Sequence, residues 1–139
     1  MKVVACYLIF PIVLVFGLQE NCSEIKPAWK RLIEPYHTEC ICATGVQMDL
    51  ANNLLENFVY ANNPCLKCYI TCLHRKIGLI RYDNTIDIDT LTTVAAGITY
   101  DIAKKCNEEV LNVTDPCIVS YEMSVCVTNI IDKICSVGQ

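Results

Sequence analysis

The side chains here with the reactivity to do chemistry are eleven cysteines and two histidines. Cys65-Leu-Lys-Cys68 is a C-x-x-C and Cys40-Ile-Cys42 a C-x-C. In a reducing cytosol such spacings suggest a redox dithiol or a zinc site. A histidine beside a cysteine, His37 or His74, would make a nucleophilic pair. Redox C-x-x-C motifs sit in βαβ settings, and this pattern is not one. The carboxylates are scattered. Glu108-Glu109 reads as a solvated pair, because paired carboxylates catalyse only where their environments push their pKa values apart. Whether the thiols react at all depends on the compartment they meet.

The start of the chain points to that compartment. Lys2 is a minimal positive region, and Val3 to Phe16 run apolar, broken only by Pro11. A run of about 14 residues is too short for a helix to span a hydrocarbon core of roughly 30 Å. Val15 and Gly17 are small enough for a signal-peptidase site. Residues 1–17 are therefore read as a cleaved signal peptide and residues 18–139 as one secreted domain. A retained anchor is the competing reading. No second apolar run of membrane length follows, so no membrane insertion is expected.

In the oxidising secretory route thiols pair rather than bind metal or catalyse. Loss of Cys6 with the leader leaves ten cysteines, an even number. No enzymatic activity, metal or cofactor is expected, and both histidines are read as surface or helix-face residues. A formal charge of -4 argues against a nucleic-acid partner, which meets phosphate with a basic face. Asn21-Cys22-Ser23 and Asn112-Val113-Thr114 are sequons compatible with glycosylation.

The elements that must position these groups read as helices. Ile25, Trp29, Leu32, Ile33 and Tyr36 recur at three and four, predicting a helix from Ile25 to about Cys42 that Pro35 kinks or interrupts. A second helix is expected over Asp49 to Tyr60. A third runs from Cys65 to about Ile77 and is ended by Gly78. Asp87 or Asp89 caps a helix starting near Thr90, and Gly97 divides the stripe running from Leu91 to Cys106. Asp115-Pro116 starts a last helix running to about Ile134. The expectation is an all-α fold of about six helices. Cys68 and Cys72 share one helix face a turn apart, so they reach two neighbours. Cys117 and Cys126 fall on opposite faces of theirs.

Six of the cysteines, Cys40, Cys68, Cys72, Cys106, Cys117 and Cys126, are separated by 27, 3, 33, 10 and 8 residues. This resembles the six-cysteine signature of insect odorant-binding proteins, the pheromone and general odorant-binding family. The intervals of 3 and 8 are diagnostic, and Cys40-Ile-Cys-Ala-Thr-Gly-Val46 resembles the family's local motif. Leu66-Lys-Cys-Tyr69 leading to Cys72-Leu73, Ile86-Asp87 and Asp115-Pro-Cys117 are similar too. The resemblance covers nearly all of residues 18–139. It implies six helices around an apolar cavity, with bridges Cys40–Cys72, Cys68–Cys117 and Cys106–Cys126. The chain departs from the pattern in Cys22, Cys42, Cys65 and Cys135. Pairing Cys42 with Cys65 suits antiparallel first and third helices, and pairing Cys22 with Cys135 joins the chain ends. An intermolecular bridge through either end is the alternative.

By periodicity alone the stripe from Leu91 to Ile102 reads as core. The resemblance implies that these helices line a ligand cavity. The candidate wall is Leu54, Phe58, Leu73, Ile77, Ile88, Leu91, Val94, Ile98, Tyr121, Val125 and Ile130, with the Tyr121 hydroxyl available to an alcohol, aldehyde or ester oxygen. The implied function is an extracellular carrier of small hydrophobic odorants or pheromones. It would act as a monomer or weak homodimer, with an olfactory receptor as candidate protein partner. Two alternatives stand beside it: a non-olfactory scavenger or carrier in saliva, haemolymph or reproductive fluid, and a secreted interaction protein with a filled core and no ligand.

Overall fold

Helix starts are set by side chains that satisfy the first free backbone N–H groups. Asn63, Asp87, Thr99 and Asp115 each accept a hydrogen bond from the backbone two or three residues on, opening four of the helices. The computed structural model describes the backbone of residues 10–137, with side chains from Cys22 onward. The helices are α1 (Phe10–Ile33), α2 (His37–Thr44), α3 (Met48–Asn57), α4 (Pro64–Lys76), α5 (Ile88–Val94), α6 (Tyr100–Val110) and α7 (Pro116–Ser136), with a 3-10 turn over Glu34–Tyr36. Among the described residues there is no strand, only an isolated antiparallel bridge between Ile80 and Ile86.

Three boundaries differ from the sequence reading. The helix expected at Ile25 begins by Phe10, and the expected leader boundary after Gly17 falls inside it. The helix expected to continue to Cys42 is broken in two. Pro35 has no N–H to donate, and the chain tightens into the 3-10 turn before α2 restarts at His37. With α1 and α2 taken as one interrupted helix, the seven segments become the expected six. The third difference is α3, which stops at Asn57 rather than Tyr60. Phe58 enters the left-handed region at φ 53°, its N–H still bonded to Leu54 O. For a residue with a Cβ that conformation costs about 1–2 kcal/mol, so packing must hold it there. Residues 58–63 then cross from α3 to α4 without helix.

Four disulfides tie this frame: Cys22–Cys135, Cys40–Cys72, Cys68–Cys117 and Cys106–Cys126. The expected Cys42–Cys65 bridge is absent, and both thiols are free and exposed. The α2 and α4 helices are joined where Cys40 meets Cys72, where Glu39 pairs with Lys76 and where His37 reaches the Tyr69 hydroxyl. Cys42, however, lies about 200° around α2 from Cys40. With Cys40 turned to α4, Cys42 faces away.

The buried residues form two clusters. The larger gathers Trp29 of α1, Leu91 of α5, Ala103 and Cys106 of α6, and Val119, Met123 and Val127 of α7. The smaller gathers Cys40, Leu54, Leu66, Tyr69, Ile70 and Leu73 from α2, α3 and α4.

Gly97, at φ 76°, packs so closely that an added Cβ would lie 2.5 Å from Ile25 Cδ1. Gly45, at φ 65°, faces open space. Gly97→Ala should lower the unfolding free energy by about 3 kcal/mol, the sum of overpacking and left-handed strain. Gly45→Ala should cost only about 1 kcal/mol. Denaturant unfolding with the bridges intact measures both; equal losses would show that Ile25 moves aside freely.

Candidate functional site

One face of α4 carries Ile70, Leu73 and His74, continued by Ile77 at the helix C-cap, at intervals of three and four. One face of α7 carries Met123, Ser124, Val127 and Thr128 at the same spacing. Between them lies a cavity of about 90 Å³. Trp29, Leu32 and Ile33 close it from α1, Leu54 from α3, and Phe58 and Tyr60 from the segment beyond α3. Leu79, Ile86, Leu91, Ala95 and Ile98 complete the wall. Leu54, Ile70 and Leu73 belong to the smaller core, whereas Trp29, Leu91, Met123 and Val127 belong to the larger. The cavity is therefore the seam where two separately packed cores meet.

The wall is apolar apart from a narrow strip. His74 Nε2 and Ser124 Oγ lie 3.3 Å apart, within hydrogen-bond reach. One turn further along α7, Thr128 Oγ1 and the Tyr60 hydroxyl share a bond of 3.0 Å. The Trp29 indole N–H is already donated to Ala96 O at 2.8 Å, so that ring offers the cavity only its apolar surface. Burial pushes the Tyr60 hydroxyl up to about 12. It also pulls His74 down to about 4, because a low-dielectric setting disfavours imidazolium. His74 is therefore neutral at pH 7, and its buried Nδ1 has no hydrogen-bond partner.

An apolar wall with a few polar groups is the ordinary make-up of a small-molecule pocket. Among the described residues no group of three or more His, Cys, Asp or Glu is placed to hold a metal ion. The thiols that would make redox sites are either bridged or exposed outside the cavity.

Of the residues expected to line a cavity, the structure brings together Leu54, Phe58, Leu73, Ile77, Leu91 and Ile98. Ile88, Val94 and Ile130 pack instead against the larger core. Val125 is half-buried, outside the lining. Tyr121 is also outside: it packs on the smaller core, and its hydroxyl donates to the Tyr60 carbonyl at 3.0 Å. The polar side chains in the lining are Tyr60, His74, Ser124 and Thr128. The reading of His74 as a surface or helix-face residue left open which face: it stands four residues after Ile70, on the stripe that faces inward. His37 does lie outside the lining. It bridges the buried Tyr69 hydroxyl at 2.6 Å and Asn52 Oδ1 at 2.9 Å, pinning α2 to α4 and α3.

A family model described as PBP/GOBP matches residues 22–129. The chain belongs to the PBP/GOBP family. The family is one of ligand-binding carriers, not of enzymes. General odorant-binding protein 69a of Drosophila melanogaster is 25% identical over 71 residues, which make up 51% of this chain and 48% of that protein. The match thus spans about half the length of that relative. A pheromone-binding protein from the cockroach Leucophaea maderae, crystallised with the fluorescent reporter ANS, has a similar fold, with a TM-score of 0.63 at 19% identity. That likeness covers 74% of this chain and 95% of the cockroach chain.

The neutral His74 sets a pH dependence for this PBP/GOBP chain. Its folded pKa of about 4 lies below the ordinary 6.5. Between those values the unfolded chain binds a proton that the folded chain does not, so stability falls as pH drops from 6.5 towards 4. The loss attributable to His74 is at most about 3 kcal/mol. Unfolding curves across this range should flatten in His74→Gln; an unchanged slope would assign the acid sensitivity to other groups.

Proposed function

We propose that the chain is an extracellular carrier of small hydrophobic odorants or pheromones. The reading includes removal of residues 1–17 as a signal peptide. The supporting observation is the seam cavity, an apolar space with one short polar strip, in a fold of the carrier family. Transfer of a ligand's apolar surface out of water drives binding, at about 25 cal/mol per Å² before ordering costs. The strip orients one oxygen-bearing group. No described helix is long and apolar enough to cross a membrane, which agrees with release into fluid.

The cavity volume of about 90 Å³ makes a specific demand. Pockets that enclose drug-sized ligands hold roughly 300–1,000 Å³. A longer ligand therefore enters only by moving the wall. Two parts of the wall carry no bridge, the stretch from Leu79 to Ile98 and α3 with residues 58–63, and only the second is tied to α7 through tyrosine hydroxyls. The segment is latched to α7 by the two tyrosine bonds, Tyr60 to Thr128 and Tyr121 to Tyr60 O. Phe58 is held in its left-handed conformation against Trp29, ring centroids 5.8 Å apart. Release of this latch opens the seam. The same small volume favours the filled-core interaction protein as the second reading.

Titration of oxidised protein lacking residues 1–17 with a hydrophobic fluorescent probe, then displacement by volatile alcohols, aldehydes and esters, separates the two. Saturable one-to-one binding with selective displacement is expected. Absence of binding by folded protein would favour the second reading. In Tyr60→Phe/Tyr121→Phe, two hydrogen bonds of about 1 kcal/mol each are lost, so probe association and dissociation should both quicken by roughly thirtyfold at most, with Kd little changed. Stopped-flow mixing reads both rates; a changed Kd with an unchanged association rate would make the segment a fixed wall.

A further inference from the structure

We propose that Asn112 carries an N-linked glycan, placed in an exposed turn that contributes no residue to the ligand seam. The inference rests on the secretory reading above, because the modifying machinery acts in that route. Two sequons are present, and the fold treats them differently. Asn21-Cys22-Ser23 lies within helix α1, and its middle residue is bridged to Cys135. Asn112-Val113-Thr114 lies in the turn between α6, which ends at Val110, and α7, which starts at Pro116.

The turn has the features that an attached glycan requires. Asn112 and Thr114 are both exposed. Neither side chain is engaged by another described group. The backbone is non-helical from Asn112 to Asp115, stabilised by Val113 N–H donating to Val110 O at 3.0 Å. A bulky polar substituent here displaces no packed side chain. Beside it, Leu111 keeps 66% of its surface in water, an exposed apolar side chain that a glycan would shield. The cavity wall includes no residue of α6 or of this turn, passing from Ile98 directly to Met123.

In the modifying step, Asn112 Nδ2 attacks the anomeric carbon of a lipid-linked diphosphate oligosaccharide. The N–C bond forms and the C–O bond to the diphosphate breaks. The lipid diphosphate leaves, the amide proton passes to base, and nothing is oxidised or reduced.

The test expresses the full chain in cultured insect cells and weighs the protein from medium and cells. Secreted wild-type protein should carry glycan mass that is lost in Asn112→Gln and Thr114→Ala and retained in Thr114→Ser and Asn21→Gln. The Thr114→Ser result separates loss of the acceptor motif from damage to the turn. Probe Kd should be the same before and after enzymatic deglycosylation. Secreted wild-type protein without glycan, or glycan that survives Asn112→Gln, overturns the proposal while leaving secretion intact. A chain that stays in cells with residues 1–17 attached and no glycan overturns the secretory reading, and the glycan with it.

Discussion

Everything else in this fold depends on how α4 is held. Two disulfides leave it one turn apart, Cys68 to α7 and Cys72 to α2. A helix bridged from one face to two different neighbours cannot roll about its axis. Its remaining inward face, Ile70 to Ile77, is therefore fixed in direction. Thr71 adds a polar constraint by donating to Pro116 O at 2.9 Å, at the start of α7. Tyr69, fully buried, is pinned by His37 from α2. With α4 committed to two neighbours, the molecule packs a small core on one side and a large core around α7 on the other. Close packing within each core does not extend across the seam.

The same constraint explains the electrostatics. Charged pairs such as Lys26–Asp132 and Lys30–Glu56 join helices on the outside, where solvent screens them and they contribute little. In the seam, polar groups are few and nearly all are paired with each other. His74 is the exception. It occupies an inward position on a helix that cannot turn it out to water, so it stays neutral and keeps an unpaired nitrogen.

Local rules made much of the fold legible. Asp115-Pro116, Asn63-Pro64 and Asp87 act as starts because their side chains and fixed φ angles satisfy helix N-termini wherever they stand. Gly45 and Gly97 end or divide helices through positive φ. The family resemblance implied three bridges, and the position of Cys22 and Cys135 near the chain ends suggested the fourth. The failures are of another kind. The departure of Phe58 from helix is a tertiary decision, since nothing in Asn57-Phe58-Val59 forbids another turn. The Cys42–Cys65 pairing followed from helix direction but ignored rotation about α2. Six of the eleven expected wall residues line the seam, because an apolar stripe shows that a residue is inside without showing which core it joins. Val94 and Leu91 share a stripe, yet only Leu91 reaches the cavity.

The two unbridged thiols have a consequence for the bridges themselves. Cys42 is two residues from Cys40, and Cys65 is three residues from Cys68. Cys65 shares a side of α4 with Cys68 and is a built-in nucleophile near that sulfur, whereas Cys42 reaches the Cys40 sulfur only if α2 unwinds. The native connectivity is therefore not isolated by a lack of attackers. For the Cys40–Cys72 bridge the barrier is packing, since exchange must expose a fully buried Cys40, so there sulfur connectivity is a readout of the core around it.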